Sequence, residues 1–141
     1  MADNNDAPIS PHTALIYTMV MVSAADRDMT DAELRTIGEV IRVLPVFEDF
    51  DMDRLSAAAG ECAEILSVDD GLDLILDMIR LGLPEKLRET AYALACEVAA
   101  ADRTVGQEEL RLLEMVRDRL EVDPLAAAAI ERAARARHAR L

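Results

Sequence analysis

Apolar residues recur three or four positions apart along most of the 141-residue chain, and proline or a small polar residue stands where each run begins. That pattern predicts helices with one face turned inward. Ser10 ahead of Pro11 predicts a helix lasting to about Ala25, because a proline in the first turn has no N–H to leave unpaired. Its interior, Ala14 to Ala25, is apolar on every side, which predicts a buried helix; at twelve residues it falls short of a bilayer, which takes about twenty. Thr30 with Glu33 forms a capping box, and Leu34, Ile37, Ile41 and Leu44 then carry a second helix to Pro45.

A third stripe, entered through Asp51, runs over Leu55, Ala58, Ala59, Cys62, Ile65 and Leu66. A fourth follows Asp69 with Leu72, Ile75, Leu76 and Ile79. Gly82 and Pro84 separate it from a fifth helix starting near Pro84 and ending near Ala101. Leu87, Ala91, Leu94, Ala95 and Val98 share one face of that helix, and its small residues cast it as the central one. A sixth, from about Gln107 to Leu120, turns Leu110, Leu113, Val116 and Leu120 inward. Asp123 before Pro124 opens a seventh, made largely of alanine and arginine. The expected fold is all-α: a bundle of about seven helices in a single domain spanning 1–141, with a flexible N-terminus at 1–9 and no interdomain linker.

The chain also repeats itself. Shifting it by 76 positions lays Val22–Leu44 on Val98–Leu120, and ten of the twenty-three positions agree. The agreement includes Ala24-Ala25-Asp26-Arg27 against Ala100-Ala101-Asp102-Arg103 and Glu33-Leu34-Arg35 against Glu109-Leu110-Arg111. A duplicated helix-turn-helix packs most simply against its copy about a pseudo-twofold axis, since one packing solution then serves twice. Each copy carries an aspartate at the start of its turn and a glutamate seven residues later.

This doubled pattern, Ala-Ala-Asp followed by Glu-Leu at a helix start, resembles the TerB tellurite-resistance family over most of the chain. The resemblance implies a helical bundle with an internal repeat, located in the bacterial cytoplasm and linked to tellurite and other stress resistance. It also implies metal binding through clustered acids and a protein partner, a membrane-associated resistance component among the candidates. The chain departs from the family in its turns, where Arg27 and Arg103 stand in place of the usual glycine. An arginine there implies a different turn or a backbone strain of roughly 1 kcal/mol or more.

Charge narrows the partners. The net charge is −13, and residues 1–130 hold 11 bases against 27 acids. So acidic a body repels nucleic acid and anionic lipid and attracts cations or basic protein faces. Ten acids against the single base Arg54 lie between Glu48 and Asp77, as a solvated face or a docking surface. The tail reverses the sign with Arg132, Arg135, Arg137 and Arg140, which are expected to fold back on the acidic body. Two separated cysteines and a polar, acidic beginning fit a reduced cytoplasm and give no sign of export or of membrane insertion.

Candidate chemistry centres on the turns. Hard divalent cations take several oxygen ligands, and Asp26, Glu33, Asp102 and Glu109 would supply four carboxylates if the two turns converged. Asp28 and Asp31 add oxygens in the first copy, whereas Thr104 and Gln107 replace them in the second. An EF-hand is excluded, since its glycine position holds Asp31 and its closing glutamate position holds Ile37. The competing reading gives Glu33 and Glu109 to helix capping and Asp26 and Asp102 to pairs with arginines.

The methionines are scattered core filler. Cys62 and Cys96 sit on alanine-rich apolar faces, and His12 and His138 lack zinc-ligand spacing. No nucleophile triad and no phosphate-cradling loop is present, so no enzyme activity is expected. A divalent cation is the one cofactor the residues suggest. The expected function is a non-enzymatic role in tellurite or oxyanion stress, by cation binding or partner docking; the alternative is an acidic adaptor of the same fold without a metal.

Overall fold

A computed structural model describes residues 7–24, 29–101 and 106–141. Among them lie seven α-helices and no strand: α1 (Pro11–Ser23), α2 (Asp31–Arg42), α3 (Leu55–Leu66), α4 (Gly71–Gly82), α5 (Arg88–Ala101), α6 (Gln107–Arg119) and α7 (Pro124–Arg137). Short 3-10 turns at Pro45–Phe47, Met52–Arg54 and Glu85–Leu87 link them. The last of these occupies the expected first turn of the fifth helix, so α5 begins at Arg88 rather than near Pro84.

The centre of the bundle is α1. All nine residues from Ala14 to Val22 are buried, and α2, α3, α4, α5 and α6 all pack against it. A helix surrounded in this way must be apolar on every side. The hydroxyl of fully buried Thr18 donates to the Ala14 carbonyl at 2.8 Å, which satisfies it within the helix. The fifth helix, expected at the centre, packs against α1, α2, α6 and α7, but α1 is the more enclosed of the two. The reason is side-chain size. Leu15, Ile16, Met19 and Val20 of α1 are fully enclosed, and each such side chain removed from water stabilises by about 1.5–3 kcal/mol. The alanines of α5 offer less area.

Local signals set the helix ends. Ser10 caps α1 through the Thr13 amide, and Asp123 caps α7 through the Leu125 and Ala126 amides. Gly71 lets α3 turn into α4, because a Cβ there would stand 2.1 Å from the Ile65 carbonyl oxygen. The α6–α7 turn passes through Glu121 in the left-handed region at φ 54°. The Val122 and Glu121 amides return to the Arg117 and Asp118 carbonyls at 3.1 and 3.2 Å, closing a Schellman cap.

Ion pairs then fix α4 against the end of α6. Arg80 meets Glu121 at 2.5 Å, and Arg119 reaches Asp77 at 2.6 Å and Asp73 at 3.2 Å. The basic tail folds back on α5, where Glu97 receives both Arg137, at 3.2 Å, and His138.

One expectation about burial fails. Leu110 of α6 is 53% exposed rather than inward. It borders a cavity of about 380 Å³ between α5, α6 and α7, which Glu131, Ala134 and Arg135 of α7 line together with Leu110 and Leu113 of α6.

Candidate functional site

The four proposed carboxylates divide between two kinds of position. Glu33 and Glu109 lie in the first turns of α2 and α6, whereas Asp26 and Asp102 fall outside the described residues. Each glutamate reaches back to the amide ahead of its own helix. Glu33 Oε1 accepts from the Thr30 N–H at 2.8 Å, and Glu109 Oε1 accepts from the Gly106 N–H at 3.2 Å. In the first copy Thr30 returns the favour, its hydroxyl accepting from the Glu33 amide at 3.1 Å. Gly106 has no side chain, so the second copy keeps only half of the box. Capping therefore accounts for one oxygen of each carboxylate.

Packing then brings the two glutamates to one place. The first hairpin touches the second through three helix pairs, α1 against both α5 and α6 and α2 against α5, and the hairpin ends meet around a cavity of about 370 Å³. Ser23 from the end of α1, Glu33 and Thr36 from α2, Val98 and Ala101 from α5, and Glu109 from α6 line it. Glu109 is only 4% exposed, and Glu33 is partly buried.

The charge around this cavity is mixed by construction. Ser23 and Ala101 are the last residues of α1 and α5, so the carbonyl ends of two helices, which carry partial negative charge, lie beside it. The amide ends of α2 and α6 carry partial positive charge, and the glutamates sit against them. An ion entering would meet carboxylate and hydroxyl oxygen, which suits a hard cation. Among the described residues no group of three or more His, Cys, Asp or Glu side chains is placed to hold a metal. Of the four proposed carboxylates, Glu33 and Glu109 are the two that the described residues place at this cavity.

Sequence reasoning passed over Ser23 and Thr36. Thr36 lies three residues after Glu33, on the same helical face, which was a readable signal. Ser23 had none, since only packing sets the end of α1 beside α6.

The remaining candidates are structural. Burial pushes the Cys62 thiol up to about 12 and the Cys96 thiol up to about 11, so neither is a thiolate near neutrality. His12 stacks on Phe47 with ring centres 5.1 Å apart, and its Nε2 lies 2.7 Å from the Val46 carbonyl oxygen. His138 is engaged with Glu97. No helix among the described residues is long and apolar enough to cross a membrane.

Comparison with known proteins adds one finding. The family model described as Tellurite resistance protein TerB matches residues 12–132. No curated protein and no solved structure matched the chain.

Proposed function

The chain belongs to the TerB family, and from that premise we propose that it serves tellurite or oxyanion stress resistance without catalysing a reaction, by holding a divalent cation at the cavity that Glu33 and Glu109 line. The observation that carries this reading is that Glu33 and Glu109, distant in sequence, line one cavity. In the sequence Asp102 directly follows Ala101, which lines the same cavity, and Asp26 follows Ser23 by three positions. Carboxylates gathered in a partly buried space repel one another, and a cation removes that repulsion. Cation binding in a cytoplasmic protein would then couple metal status to the docking of a protein partner.

Thermal denaturation with calcium, magnesium, manganese or zinc tests the reading. A ligand held only by the folded state and present at about 100 times its Kd adds about 2.7 kcal/mol, a rise of roughly 5–10 °C for a chain of this size. Asp26→Asn with Asp102→Asn, or Glu33→Gln with Glu109→Gln, should abolish that rise, and a chelator should reverse it. A melting curve that none of the four metals moves would leave an acidic adaptor of the same fold as the better reading.

A further inference from the structure

We infer that the outer face of α4 is a docking surface for a basic amphipathic helix. Helix α4 is apolar on two flanks. One flank, with Ile75, Leu76 and Ile79, is buried in the bundle. The other carries Leu74, Met78 and Leu81 at the i, i+4, i+7 spacing of a helical stripe. Leu74 is 48% exposed and Leu81 72%, and Met78 is partly buried between them. Met78 also packs against the core, but Leu74 and Leu81 do not, and the inner flank already meets α1, α3 and α6.

The charge around the stripe selects its partner. Between Leu55 and Ile79 the chain has six acids and no lysine or arginine. Asp73 and Asp77 are engaged by Arg119 on the α6 side, whereas Glu61, Glu64, Asp69 and Asp70 are exposed. Asp70 lies one turn before Leu74 on the line of the stripe, and exposed Glu85 follows Leu81. Acid thus stands unopposed at the Asp69–Asp70 end of the apolar line, whereas at the other end Glu85 is followed by exposed Lys86.

A helix with leucine-like residues along one face and lysine or arginine on its flanks, above all at the end beside Asp69 and Asp70, satisfies the stripe and its border together. A second copy of this chain fits worse, because pairing two such faces sets acid against acid. An anionic membrane is repelled for the same reason. The surface lies on α4, apart from the Glu33–Glu109 cavity, and does not rest on cation binding there.

Titration of the full-length protein with a synthetic helical peptide of leucine and lysine, about eighteen residues or five turns long, tests the inference. Its counterpart with glutamate for lysine serves as the control, and calorimetry and amide chemical shifts are the readouts. The leucine–lysine peptide should bind, shift the amides of α4 and weaken with added salt; the glutamate peptide should not bind. Leu74→Gln with Leu81→Gln should weaken binding about tenfold or more. Asp70→Asn with Glu85→Gln should weaken it less and flatten the salt dependence. Val43→Gln, which changes an exposed apolar residue on another face, should leave it unchanged.

Equal binding by the Leu74/Leu81 variant would overturn the inference, because attraction would then be charge alone. So would a concentration-dependent dimer that the same two substitutions dissociate, since a second copy would then cover the stripe.

Discussion

The hairpins α1–α2 and α5–α6 start from closely similar sequence and bury different things. In α2, Ile37 and Ile41 are fully enclosed. At the same shift of 76, α6 has Leu113, which is partly buried, and Arg117, at the edge of the α5–α6–α7 cavity. Leu34 is partly buried whereas its counterpart Leu110 is mostly exposed, and the cap glutamates reverse that order, Glu109 being the deeper. The first helices differ as well: Leu15, Ile16, Met19 and Val20 correspond to Ala91, Tyr92, Ala95 and Cys96.

The neighbours explain the divergence. The apolar stripe of α2 is met by α1, α3 and α5. Beside α6, Glu131, Ala134 and Arg135 of α7 line a cavity without filling it. Two helices of similar sequence keep a cap glutamate in common, but how much of each is buried depends on what is placed against it.

The largest expected effect comes from truncating aligned core positions. Ile37→Ala should destabilise by about 3 kcal/mol, since the enclosed site cannot collapse, while Leu113→Ala should lose about 1 kcal/mol beside a cavity already open. Urea denaturation of both variants measures the difference. Equal losses would mean that the two hairpins are equally packed.

An intermediate effect is expected at alkaline pH, from the thiol that replaces Val20 in the second hairpin. Unfolded, Cys96 ionises near the ordinary value of 9.0; folded, burial raises it to about 11. Between those values the unfolded chain releases the proton while the folded chain keeps it, so stability present below pH 9 is lost as the pH climbs toward 11. Cys62, raised to about 12 for the same reason, acts in the same direction. The urea midpoint should therefore fall from about pH 9 upward, and Cys96→Val should make the fall shallower. A Cys96→Val slope identical to that of the unaltered protein would remove the thiol from the account.

The smallest effect concerns the helix caps. Gly106 has extended backbone, at φ −89° and ψ 176°, and open space around its Cα. A threonine fits there and would complete the box that Thr30 completes in the first copy. Gly106→Thr should stabilise by a few tenths of a kcal/mol, and Thr30→Gly should cost a similar amount. Opposite shifts in melting temperature check the pair.

Much of this was legible in local residues. Ser10–Pro11, Thr30 with Glu33, and Asp123–Pro124 mark helix starts that the structure places within a residue or so of expectation. The apolar run after Pro11 announced a helix buried all round. Leu110 misled, because a period records which face a residue is on and not whether anything covers that face. The rank of α1 over α5 at the centre was equally out of reach, since it follows from the summed area of many side chains. Of the candidate site, the residue types and their doubling were readable from the chain, while Asp26 and Asp102 lie outside the described residues.

The sequence by itself determined an all-helical chain and most of its helix ends, because capping, proline geometry and helical period act over a few residues. Only the tertiary structure decided that Glu33 and Glu109 share a cavity, that Leu74 and Leu81 stay in solvent and that Leu110 borders a gap. Those outcomes depend on which faces of distant helices meet, and that is settled by burying the most apolar area across the whole bundle at once.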